Sequence, residues 1–207
     1  MKSIAKSEKK TKEEIYKQLY KELNNNAIAG KKEAATYKTN TSSKIQVRGG
    51  NNNTSSAHYI KLSDTKKFKA GQIYYTPSQT AKFYHGHVGM ILNSRYIVES
   101  IPSNGVRKIK AVNRRVDNKG AVLKSVNVSA VKRKAAANWA LARVGEKYSN
   151  NFAANRKTSH YGSKNCSKLI WSAYKVKAKI DLDKDRGLGG YPRDVRDAKQ
   201  TNKVMSL

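Results

Sequence analysis

The chain has a single cysteine, Cys166, and four histidines, His58, His85, His87 and His160. One cysteine excludes an internal disulfide and an all-cysteine metal site. A lone cysteine suits a packed apolar position as well as it suits chemistry. The neighbours of Cys166 sharpen the choice. Ser163 or Asn165 can cap a helix that begins at Cys166, which puts the thiol in the first turn. There the free backbone N–H groups and the helix dipole favour a thiolate and draw the pKa below its usual ~8.5. Leu169 and Ile170 follow at three and four residues, so Cys166 stands at the edge of an apolar stripe. A thiol used as a nucleophile needs an imidazole to take its proton, and the imidazole needs an orienting acceptor.

His87 and Glu99 have the spacing to supply both. The run His-Val-Gly-Met-Ile-Leu (87–92) and the run Tyr-Ile-Val-Glu-Ser (96–100) flank Asn93-Ser94-Arg95 and predict a β-hairpin with a three-residue loop. If Leu92 pairs with Tyr96, Gly89 faces Glu99 and His87 faces Ile101. Glu99 then shares the His87 face at the diagonal position, and Gly89 leaves room for the carboxylate to lean across. A slip of one residue would put the two on opposite faces. The competing reading is a satisfied strand histidine and a solvated edge glutamate.

The other histidines fit less well. His85 has the right parity but is cut off by Gly86, His160 falls in a loop near Cys166, and His58 has no comparable partner. His85-x-His87 spacing offers two metal ligands, with Glu99 or His160 as a distant third, yet no complete metal set stands out. No cofactor motif stands out either. Gly187-Leu188-Gly189-Gly190 follows acidic residues and reads as a turn, not a phosphate loop.

The elements that must position these groups belong to an α+β fold, an antiparallel sheet packed against the helix that bears the cysteine. Strands are predicted at 71–75, 87–92, 96–100, 106–109 and 122–128. A helix follows from Ser129, with Val131, Ala135, Trp139 and Ala142 in period and Gly145 as its stop. The second helix runs from about Cys166 to Val176. Before residue 57 the sequence changes character. Thr11 and Glu14 form a capping box for one amphipathic helix over about 12–23, carrying Ile15, Leu19 and Leu23. The Asn-rich segments after it, at 24–26 and 51–53, read as a flexible linker. The expected organisation is a basic tail over 1–56 and a catalytic domain over 57–207.

With 43 Lys+Arg against 14 Asp+Glu, the chain carries a formal charge of +29 and will be drawn to polyanions. No run approaches the ~20 apolar residues of a membrane span. The N-terminus lacks the apolar core of a secretory signal as written, which leaves cytoplasmic and envelope-associated settings open. The densest basic stretch, from Arg107 through Arg114 to Lys134, has no interleaved tyrosines of the kind a base-stacking platform needs, and it reads as a solvated face.

The motifs Gly86-His87-Val88-Gly89-Met90-Ile91, Ile97-Val98-Glu99-Ser100 and Asn165-Cys166-Ser167-Lys168-Leu169-Ile170, in that order, resemble the circularly permuted, YiiX-like branch of the NlpC-type papain-fold hydrolases. In that branch the strand with the histidine precedes the helix with the cysteine. The resemblance spans roughly Lys69 to Val195. It implies Cys166 as nucleophile, His87 as general base and Glu99 as orienter, in a cysteine amidase or peptidase working through an acyl-enzyme. Cell-wall peptides or acyl-lipids are the implied substrates. Tyr148 and Tyr161 are both candidates to help the Cys166 N–H hold the oxyanion. Lys168 departs from the acidic residue expected two places after the cysteine. The competing function is a non-catalytic basic protein that binds nucleic acid or another polyanion, or an inactive fold whose 12–23 helix docks a partner.

Overall fold

The computed structural model describes residues 2–38, 59–62, 66–80 and 83–207. Two helices open the chain, α1 (Lys2–Glu8) and α2 (Lys12–Lys38). Strands β1 (Tyr59–Lys61), β2 (Ile73–Thr76), β3 (Gln79–Thr80), β4 (Phe83–Tyr84), β5 (His87–Ile91), β6 (Tyr96–Ile101), β7 (Gly105–Lys110), β8 (Arg115–Asp117) and β9 (Val122–Val126) follow. Helices α3 (Ala130–Leu141), α4 (Cys166–Ala178) and α5 (Pro192–Arg196) and strand β10 (Thr201–Ser206) complete the described elements. The main sheet is antiparallel with strand order β10-β9-β2-β5-β6-β7, and β1–β8 and β3–β4 form two small ribbons. The expected α+β class and the five expected strands are all present, and β10 is an edge that the sequence pattern did not reveal.

Both faces of the sheet are buried, because alternate residues of each central strand are apolar on both sides. Ile73, Tyr75, Val88, Met90 and Val98 pack against Ala136, Ala140, Leu169, Ile170 and Ala173 of α3 and α4. On the other face Tyr74, Ile91, Ile97 and Leu123 are covered by Leu62, Phe68, Ala111, Val116 and Ala121. Helices α3 and α4 are capped as their sequences predict. The Ser129 side chain accepts from Lys132 N–H, and the Asn165 side chain accepts from Lys168 N–H.

The N-terminal segment differs from the expected tail. The Thr11–Glu14 capping box forms, with Thr11 N–H donating to Glu14 at 2.7 Å and Glu14 N–H to Thr11 at 3.2 Å. The helix it starts runs on through Asn24–Asn26 to Lys38 rather than stopping near residue 23. It is seated on the body. Glu22 accepts from the Leu188 and Gly189 N–H groups, and Glu33 accepts from Tyr75 Oη at 2.7 Å and Arg193 Nε at 2.6 Å. Asn26 accepts from Arg193 Nη1 at 2.9 Å. Local pattern hid this, since the contacts are polar and lie 42 to 167 residues away. Of the expected stripe, Ile15 is buried with Ala5 and Leu188, while Leu23 is 43% exposed. The segment 51–53 and His58 lie outside the described residues. No helix among the described residues is long and apolar enough to cross a membrane.

Candidate active site

The register of the β5–β6 hairpin is the expected one. Leu92 N–H donates to Tyr96, Ile91 pairs with Ile97, and Met90 pairs with Val98. The ladder then stops, although β6 continues its pairing with β7 down to Ile101–Gly105. Strand parity aims the N–H of Leu92, Met90 and Val88 at β6, so the next rung would join Val88 to Ser100. Other partners replace it. The Ser100 hydroxyl is donated at 2.6 Å to the Lys164 carbonyl, and the Val88 N–H lies close enough to the Cys166 sulfur to pull its pKa down. The segment leading into α4 therefore enters the sheet where β5 and β6 part. Cys166 is buried there in the first turn of α4, with Asn165 as the cap.

His87 leaves the same strand one residue earlier, on the other face, and meets Glu99. Its Nε2 lies 2.7 Å from Glu99 Oε2. Tyr74 Oη donates to the same oxygen at 2.6 Å, and Arg107 donates to Oε1 through Nε at 3.0 Å and Nη2 at 2.6 Å. Arg114 Nε lies 3.4 Å from Oε2. Glu99 is fully buried. Burial alone would raise its pKa, but the Arg114 charge and the hydrogen bonds from His87 and Tyr74 prevail and hold it well below the usual carboxylate range. An ionised Glu99 only accepts, so His87 carries its proton on Nε2 and presents the Nδ1 lone pair.

Gly89 has a different reason from the expected one. It pairs with Tyr74, and a Cβ there would fall 2.4 Å from the Tyr74 ring. The missing side chain makes room for the tyrosine that reaches Glu99, not for the carboxylate.

The charge state of the site also differs from expectation. Burial pushes the Cys166 thiol up to about 11, against the opposing pull of the Val88 and Ser167 N–H groups. Burial and the Arg114 charge push His87 below 6.5 in spite of Glu99. At neutral pH the thiol is neutral, and so is the imidazole that Glu99 backs. The helix dipole alone does not make a standing thiolate, because loss of water outweighs it.

The remaining candidates separate cleanly. Tyr148 is half-buried, and burial, with a smaller contribution from the Cys166 charge, pushes its hydroxyl up and keeps it protonated. Tyr161 is 57% exposed and packs on Trp139 and Arg143. His85 Nδ1 lies 2.6 Å from the Gly86 carbonyl, and its ring stacks on Phe152. His160 stacks on Trp171 with Nδ1 3.0 Å from Ser172 Oγ, turned along α4 instead of toward the sulfur. Lys168 is buried over the Trp171 ring at 4.5 Å and donates to Thr158 O at 3.0 Å; burial brings its pKa down to about 7. Sequence reasoning missed Tyr74, Arg107 and Arg114. The two arginines lay in a run read as solvated, and only the strand parity of Glu99 and Arg107, paired in register, could have hinted at one of them.

Comparison with known proteins bears on family and fold. Residues 53–205 match a family described as permuted papain-like amidase enzymes, the YaeF/YiiX, C92 family. The chain is 43% identical over 204 residues to the uncharacterized protein YycO of Bacillus subtilis (strain 168), covering 99% of this chain and 77% of that protein. It also resembles the crystal structure of the metalloprotein YiiX from Escherichia coli O157:H7. There the TM-score is 0.51 and the identity 18%, over 68% of this chain and 98% of that one, a likeness of fold.

Proposed function

We propose, from the premise that this chain belongs to the YaeF/YiiX family of permuted papain-like amidases, that it is a thiol amidase that cleaves a peptide-type amide through a Cys166 acyl-enzyme. The observation that carries this reading is the buried His87–Glu99 pair at 2.7 Å, on the strand whose Val88 N–H acts on the Cys166 sulfur.

Each group has one task. As Cys166 Sγ attacks the carbonyl carbon, its proton passes to His87 Nδ1 and the carbonyl π pair moves to oxygen. Glu99 stabilises the imidazolium that forms. The Cys166 N–H and the Tyr148 hydroxyl face the developing oxyanion. His87 returns the proton to the leaving nitrogen, the C–N bond breaks, and a thioester remains. His87 then takes a proton from water, the hydroxide adds to the thioester, the C–S bond breaks to release the acid, and His87 returns its proton to the sulfur to restore the thiol. Proton transfer within the step suits a neutral resting pair, since no buried ion pair has to be maintained between turnovers.

Cell-wall peptides are the substrate class we favour. Their polymers are anionic, and a formal charge of +29 draws the protein to them. The test is release of new amines from peptidoglycan fragments, with acyl-lipids in parallel, by wild type and Cys166→Ala. Turnover by wild type alone is expected. Equal inactivity of both proteins on amide and ester substrates, together with salt-sensitive retention on polyanions, would favour the binding function instead.

A further inference from the structure

Helix α2 stands outside residues 53–205, the segment that matches the amidase family, yet it is seated on that segment by particular side chains. Its docking face is a single stripe. Ile15, Asn26 and Gly30 are buried along it, and Glu22 and Glu33 are half-buried. The two glutamates are eleven residues apart in the helix. That spacing separates them by about 16 Å along the axis and by only about 20° around it. Gly30 lies between them, where a Cβ would collide with the Tyr84 carbonyl. A glycine in mid-helix weakens the helix, so its place here marks a close and specific seat.

The Glu22 end belongs to the cysteine side. Its carboxylate accepts from the Leu188 N–H at 2.9 Å and from the Gly189 N–H at 3.1 Å. The Gly190 carbonyl, next along this loop, accepts from Ser167 Oγ at 2.6 Å and from Asn155 Nδ2 at 2.8 Å. Ser167 follows Cys166 in α4, and Asn155 also reaches Asn165, the cap of α4, at 3.3 Å.

The Glu33 end belongs to the histidine side. Its Oε2 accepts from Tyr75 Oη at 2.7 Å and from Arg193 Nε at 2.6 Å, and its Oε1 accepts from Arg196 Nη1. Burial would raise the Glu33 pKa, but the Arg196 charge and the bonds from Tyr75 and Arg193 lower it, so the carboxylate is charged at neutral pH. Tyr75 pairs with Val88 in the sheet, and its ring packs on Gly86, where a Cβ would fall 2.5 Å from it. Gly86 sits at φ +71°, and His87 is the next residue. Arg193 donates through Nη2 to the Tyr84 carbonyl. Tyr75 and Arg193, both held by Glu33, thus fix the turn that leads into His87.

We propose that α2 is a strut between the two halves of the candidate site, a role that presupposes the Cys166–His87 amidase. Glu22 is a positioning residue for the cysteine helix, and Glu33 is one for the histidine strand. The helix can set the spacing because its own backbone hydrogen bonds fix the distance between the two carboxylates. Each glutamate acts through other residues, and a small displacement of either half slows the reaction by misaligning sulfur and imidazole.

The test uses the full chain with Glu22→Gln, Glu33→Gln and, as a control, Glu13→Gln from the exposed Glu13–Lys17 pair. Amide hydrogen exchange reads the two halves separately. Glu33→Gln should speed exchange at residues 84–88 about tenfold and leave residues 168–170 within about twofold of wild type. Glu22→Gln should do the reverse, loosening residues 188–190 and 168–170 and sparing 84–88. Each should lower kcat on peptidoglycan fragments about 10- to 100-fold with KM unchanged, while Glu13→Gln matches wild type throughout. Tyr75→Phe, which removes one hydroxyl, should reproduce the Glu33→Gln pattern even if that variant folds poorly. A merely stabilising helix would loosen both segments in both variants, and that result overturns the strut. Unchanged exchange in either glutamate variant, or unchanged kcat beside an active wild type, overturns it as well. A wild type without turnover whose variants still split in exchange removes the amidase reading and keeps the strut.

Discussion

The Ser100 hydroxyl donates at 2.6 Å to the Lys164 carbonyl, and this one bond ties the strand that carries Glu99 to the segment that leads into Cys166. His87 precedes Val88 on the neighbouring strand, and the Val88 N–H pulls on the sulfur. The backbone thus links the elements that carry the proposed nucleophile, base and orienter.

The first prediction concerns pH. Burial and Arg114 hold His87 below 6.5, and burial pushes Cys166 up to about 11. The base works when neutral, so kcat/KM should fall as pH drops through a value below 6.5 and stay flat on the alkaline side until near 11. Stability follows the same sign. The unfolded histidine binds a proton near 6.5 and the folded one only at lower pH, so unfolding becomes easier as pH falls below 6.5. Glu99, depressed from 4.5, adds stability above that value and loses it as pH falls through its folded value. A pH series of Tm alongside the rate profile checks both. A single alkaline limb rising from pH 7 would contradict the neutral-pair mechanism.

The two tyrosines should behave differently. Tyr148→Phe removes the proposed oxyanion donor and should lower kcat about 100- to 1000-fold with little change in KM. Tyr161→Phe, on an exposed ring packed against Trp139, should leave both unchanged. Steady-state kinetics of the two variants decides it.

Glu99→Gln should be costly twice over. Arg107 and Arg114 would lose their shared counter-charge in a buried setting, which is worth about 3–5 kcal/mol in comparable cases. His87 would also lose the acceptor that fixes its tautomer. Urea unfolding and kcat should both drop, whereas Arg107→Lys, which keeps charge but loses the two-pronged contact, should lie between.

Gly89→Ala tests the Tyr74 contact. A methyl group placed 2.4 Å from the Tyr74 ring must displace it, at a cost of about 1–3 kcal/mol. Activity should fall with it, since Tyr74 would release Glu99. A fully active, equally stable Gly89→Ala protein would remove Tyr74 from the account.

Much of this arrangement was legible in the residues. Alternation fixed the hairpin register, and the register placed His87 and Glu99 on one face. The cap at Asn165 placed Cys166 in the first turn of its helix. What stayed hidden depends on distant partners. Arg114 looks like any solvated arginine until the fold carries it to Glu99. Glu22 and Glu33 look like surface residues of a helix until residues 188–196 come to meet them. The thiol pKa was misjudged for a related reason: the helix terminus can be read locally, but the loss of water at the sulfur cannot.

The order in which the site is assembled has its own effect. During synthesis His87 and Glu99 emerge first, and the sulfur arrives almost eighty residues later to fill the gap left in the sheet. A nascent chain halted before residue 166 has a base and no nucleophile, and one halted before residue 190 has a nucleophile whose helix has lost its Ser167 anchor. Chain order thus makes the proposed site one that closes late, only after residues 166–190 have been made.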